Sequence, residues 1–102
     1  MAKQKEIKIP YTETAAAVQA FANSTAGRYA TKADIDRFKI KAIESDEIEA
    51  AKFLSVFSHE LVTGTPSRAQ LRSIAAVMRV GGSVYDMVEG YKAMNYNQFS
   101  DL

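Results

Sequence analysis

Arg37-Phe38-Lys39-Ile40-Lys41-Ala42-Ile43 is the stretch on which the fold class turns. Phe38, Ile40 and Ala42 alternate with Lys39 and Lys41 as in a half-buried strand, whereas Ile35, Phe38 and Ala42 follow the spacing of one helix face. The upstream Glu6-Ile7-Lys8-Ile9-Pro10-Tyr11 alternates in the same way. Pairing residues 6-11 with 37-43 would therefore give an α+β fold with a small two-stranded ribbon, which is marginal unless a helix covers it. Against this, Thr31-Lys32-Ala33-Asp34 sets a hydroxyl three residues before an acid, a helix start even though a capping box prefers Glu or Gln. The preferred reading is all-α, a compact bundle of four to five short helices.

Outward from that stretch, punctuation falls at Pro10, Asn23-Ser24-Thr25-Ala26-Gly27, Gly64-Thr65-Pro66 and Gly81-Gly82. A first helix runs from Thr12 to Asn23, with Ala15, Val18, Phe21 and Ala22 on one side. Ser45-Asp46-Glu47 is expected to cap a third helix, in which Ile48, Ala51, Phe53, Leu54, Val56, Phe57 and Leu61 cover more than one stripe, as in a central helix. Gly64 is expected to close it as a left-handed cap, and Thr65-Pro66 to open the fourth. The fourth, from Pro66 to Arg79, is the cleanest amphipathic pattern, with Leu71, Ile74, Ala75 and Met78 in register. Val80-Gly81-Gly82 ends it, Ser83 caps a fifth, and Val84, Met87, Val88, Tyr91 and Met94 form the apolar face of that helix. Residues 1-102 thus read as a single helical domain with an arm at 1-10 and a tail at 95-102.

With 102 residues, 47% hydrophobic and 25% charged, the composition is that of a globular domain with one modest core, and excludes a disordered or collagen-like chain. No cysteine is present, which removes disulfides, thiolate metal sites and a Cys nucleophile. The basic start lacks an apolar signal region, and no apolar run approaches the roughly 20 residues of a membrane span, so the expected location is the cytoplasm, or the host cytoplasm for a phage or mobile-element protein.

The formal charge of +1 conceals a pattern. Residues 1-44 carry eight cations and five acids, 45-63 one and four, and 64-102 four and three. Near neutrality is a cancellation between segments, which favours specific docking over diffuse attraction to a polyanion. At about 100° per residue, Arg68, Arg72 and Arg79 fall within about 40° on the fourth helix. Such a strip either pairs with the acids Asp46, Glu47, Glu49 and Glu60 or grips the carboxylates or phosphates of a partner. A second basic cluster, Arg28, Lys32, Arg37, Lys39 and Lys41, is the candidate nucleic-acid contact. The fourth and fifth helices resemble a helix-turn-helix in outline only, because the second presents Asp86 and Glu89 with Lys92 as its one cation.

Enzymatic constellations are weak. His59 is the sole histidine, and Ser58 and Glu60 beside it point to other sides of a helix. The acids Asp34 and Asp36 lack calcium-loop spacing, and Gly81-Gly82 has no phosphate-loop lysine. No enzyme activity, cofactor or metal is expected. Tyr85, Tyr91, Tyr96 and Phe99, with Met87 and Met94, crowd the last quarter and suit either a contact surface or the closing of the core. The sequence therefore favours a small protein-binding or regulatory domain of adaptor or inhibitor type, capable of pairing with a second copy. It would dock through these residues with the arginine strip as a rim; the alternative is a weak nucleic-acid-binding regulator.

Overall fold

In the computed structural model, which describes residues 9–61 and 64–94, the ambiguous stretch lies within one α-helix. The described residues form five helices, α1 (Thr12–Ala22), α2 (Lys32–Glu44), α3 (Ile48–Glu60), α4 (Arg68–Val80) and α5 (Val84–Met94), with a 3-10 turn over Thr25–Tyr29. The ribbon alternative fails because the helical period wins in α2: Phe38 is 6% exposed while Ile40, its partner in the strand pattern, is 53% exposed. Ile35, Phe38 and Ala42 are the buried residues of that helix. Its start is the expected one, since the Thr31 N–H donates to Asp34 Oδ2 at 2.9 Å and the shorter acid suffices to close the box.

The principal packing pairs are α1 with α4 and α2, α2 with α3, α3 with α5, and α5 with α4, so the helices close a cycle around one core. In that cycle α3 is one wall and not a central helix: it packs on α2 and α5, buries Ala50, Ala51, Phe53, Leu54 and Phe57, and leaves Ile48 43% exposed. The core holds an aromatic cluster in which Tyr91 meets Phe57 edge-on at 5.4 Å and Phe53 at 6.4 Å. Phe21, half-buried at the rim, meets Phe38 at 5.4 Å.

Several expected caps lie elsewhere. Ser45 ends α2, and Glu47 precedes α3 without a side-chain cap to it. Helix α3 stops at Glu60 with Leu61 extended, so Gly64 (φ 79°) turns the following connection, where its carbonyl accepts from the Lys32 N–H at 3.1 Å. Pro66 lies before α4, whose cap is Ser67: its Oγ accepts from Gln70 N–H at 3.0 Å, and Gln70 Oε1 accepts from Ser67 N–H at 2.8 Å. Ser83 is placed as expected, with its N–H donating to Asp86 Oδ2 at 2.9 Å and its Oγ accepting from the Asp86 N–H at 3.2 Å. No helix of the described residues is long and apolar enough to cross a membrane.

Candidate functional site

Glu47, the residue before α3, and Glu49, in its first turn, reach other helices and not the arginines. Glu47 reaches the first turn of α1, accepting from Glu13 N–H at 3.3 Å, Thr14 N–H at 3.0 Å and Thr14 Oγ1 at 2.6 Å. These are donors that α1 leaves without intrahelical partners, and Thr14 is fully buried. Glu49 does the same for α5, accepting from Val84 N–H at 2.8 Å while pairing with Lys52 at 3.0 Å. Both contacts hold the Glu49 carboxyl below its ordinary range, the Lys52 hydrogen bond foremost.

The arginine strip divides in a corresponding way. Arg68 Nη1 donates to the carbonyls of Ala22 at 2.7 Å and Ser24 at 3.0 Å, and Arg72 Nε to Asn23 Oδ1 at 3.4 Å. Two of the three arginines are thus directed at the C-terminal end of α1, where unpaired carbonyls and the helix dipole favour a cation. Arg79 is exposed and has no ion-pair partner among the described residues. In place of the expected pairing with the acids of the third helix, Arg68 bonds backbone carbonyls and Arg72 the Asn23 side chain.

The second basic cluster is dispersed. Arg28 and Lys32 are exposed and Lys39 is half-buried. Arg37 lies 5.7 Å from the centre of the Phe21 ring and 5.6 Å from that of Phe38, and its guanidinium bonds Asp34. Burial acts to raise the Asp34 carboxyl, but hydrogen bonds from Arg37 and the Thr31 backbone outweigh it and leave the group lowered. Lys41 approaches Glu13 at 4.0 Å.

Of the expected contact residues in the last quarter, Met87 and Tyr91 are buried in the core and offer no surface; Tyr85 and Met94 are 77% and 52% exposed. Tyr96 and Phe99 lie outside the described residues. Burial pushes the Tyr91 hydroxyl up to about 12, with the Gln70 side chain acting in the other direction. His59 is exposed, and no group of three or more His, Cys, Asp or Glu suited to a metal occurs among the described residues.

The feature missed by the sequence reading is a groove of about 220 Å³ between α4 and α5, lined by Ala76, Val77, Val80, Gly81, Asp86, Gly90 and Met94. Gly90 lets α5 approach α4 closely at this groove: a Cβ there would stand 3.3 Å from Val77 Cγ1. Val80, 61% exposed, forms part of its lip. The available signal was Gly90 itself, an isolated glycine in an otherwise helical pattern, which marks close approach. A cavity of about 150 Å³ holds a benzene molecule, so the groove has room for an apolar side chain. No protein-family model, curated protein or solved structure matches the chain.

Proposed function

We propose that the chain is a protein-binding domain that takes an apolar anchor of its partner into the α4–α5 groove. The supporting observation is the juxtaposition of that groove with the exposed side chains of Met94 and of Val80, which follows an exposed Arg79 that has no ion-pair partner among the described residues. Burying one aliphatic side chain there is worth about 1.5–3 kcal/mol. A stable interface covers about 800 Å² per partner, so the groove acts as an anchor point and the outer face of α5, with Tyr85, supplies further area. Arg79, exposed and next in sequence to the groove residue Val80, suits a partner with carboxylates beside its apolar anchor.

Affinity capture and light scattering on the full chain, run beside Val80→Glu and Met94→Glu, test the reading. Both positions are solvent-exposed, so the variants retain the fold. The expected result is a complex, with another protein or a second copy, whose affinity drops at least about tenfold in each variant. A chain that stays monomeric and captures nothing, or binds equally well in both variants, overturns it.

A further inference from the structure

Helix α2 carries more apolar residues than the core uses. Ile35, Phe38 and Ala42 are its buried residues, whereas Ile40 and Ile43, 53% and 54% exposed, stand about one turn apart on its outer side. Ile40 is also the source of the strand-like alternation in residues 37–43. In the helix cycle α2 packs chiefly on α1 and α3, opposite the α4–α5 pair that forms the groove. At the groove end of the molecule residues 9–11 form a strap, with the Tyr11 N–H donating to the Met78 carbonyl at 2.9 Å and the Gly82 N–H to the Ile9 carbonyl at 3.2 Å. Among the described residues nothing covers the two isoleucines in that way.

We propose that this face of α2 pairs with the same face of a second copy, the two helices antiparallel about a two-fold axis and Ile40 of one copy set against Ile43 of the other. Charge complementarity selects that occupant. Lys39, half-buried, precedes the isoleucine pair, Glu44 and Asp46, both exposed, follow it, and none of the three has an ion-pair partner among the described residues. Both acids lie at the C-terminal end of α2, where the helix dipole disfavours negative charge. Lys39 and Asp46 are seven residues apart and so share a flank to within about 20°. A two-fold axis brings equal flanks together. In this register Lys39 stands level with Glu44 of the second copy and about 3 Å along the axis from its Asp46, and the exchange is reciprocal. Setting Ile40 against Ile40 would instead bring the two Lys39 residues to about 3 Å along the axis, a like-charge contact. Arg37 is engaged with Asp34 and takes no part; Asp36, exposed beside it, is offset by the exposed Lys32. At 1.5 Å per residue α2 is about 20 Å long. One helix pair of that length covers less than the about 800 Å² per partner of a stable interface, so the dimer is weak and forms as concentration rises.

Sedimentation velocity and NMR on the full chain, from about 10 µM to about 1 mM, read the pairing. The expected result is a monomer–dimer equilibrium in which the Ile40 and Ile43 amide resonances move with concentration. Ile40→Glu alters a position that is more than half exposed, so the variant retains the fold, and because the change enters the dimer twice it should weaken pairing at least about tenfold. Lys39→Glu should weaken it less, and least at high salt. Val80→Glu should leave it unchanged, so failure of partner capture at the groove and failure of this pairing are told apart. The chain has no cysteine, which lets the register be read directly. An equimolar mixture of Ile40→Cys and Ile43→Cys chains should form the mixed disulfide in preference to either homodisulfide. A chain monomeric at every concentration overturns the proposal, whether another protein or another segment of the same chain then occupies the face. So does a dimer lost in Val80→Glu and kept in Ile40→Glu, or a mixed disulfide formed only in statistical proportion.

Discussion

Glu47 illustrates how far one side chain can act from its own helix. Three donors at the start of α1 converge on its carboxylate, one of them the hydroxyl of the fully buried Thr14. Removing the acceptor leaves those donors unpaired, at a cost of about 1–3 kcal/mol. Glu47→Ala should accordingly lower the thermal midpoint by about 4–8 °C for each kcal/mol lost, measured by circular dichroism. Gln, which keeps an acceptor oxygen, should recover part of that loss. Asp46, immediately before it, has φ 61°, the left-handed conformation that Asp tolerates and β-branched residues do not. Asp46→Val is expected to cost about 1–2 kcal/mol and Asp46→Gly close to nothing, read from urea midpoints. Neither role was legible in the sequence. Ser45-Asp46-Glu47 looks like a local cap, and only the packed arrangement shows its acid serving a helix more than thirty positions earlier.

At the scale of elements, helices whose apolar period stood unopposed were readable and contested ones needed the fold. Leu71, Ile74, Ala75 and Met78 are all fully buried, as the α4 pattern requires. For residues 37-43 two periods fitted, and burial chose between them by hiding Phe38 and leaving Ile40 and Ile43 outside. The turn between α4 and α5 shows what periodicity cannot reveal. Gly81 (φ 86°) is needed both for its backbone conformation and because the Ile9 carbonyl occupies the space of a Cβ. Gly81→Ala should cost at least about 2 kcal/mol and should also accelerate hydrogen exchange at the Gly82 and Tyr11 amides, because the strap of residues 9–11 cannot remain docked. An unchanged exchange pattern would show that the strap is held by other contacts. The 3-10 turn was equally hidden. The sequence marked Asn23 to Gly27 as a break but not the convergence of Ser24 and Arg68 on the carbonyls that α1 leaves open.

For the molecule as a whole, the same segregation of roles makes stability depend on pH at the alkaline end. Tyr91 lies in the centre of the core, and its hydroxyl is pushed from 10.0 to about 12, chiefly by burial. Tyr11 is raised as well, by burial first and then by Glu49, Asp86 and Glu47. A phenol whose folded pKa is raised keeps its proton in the native state after the unfolded chain has lost it. The native state then binds more protons, and stability falls as pH rises through that window. The Tyr91 contribution is fully present below pH 10.0 and is lost between there and about 12. Urea midpoints should fall across that interval in the wild type, and Tyr91→Phe should flatten the decline while preserving the ring contacts to Phe53 and Phe57. Tyr11 should account for part of the slope that remains. Equal slopes in wild type and Tyr91→Phe would mean that the hydroxyl reaches water in the folded state, and that the core around α5 is looser than its packing implies.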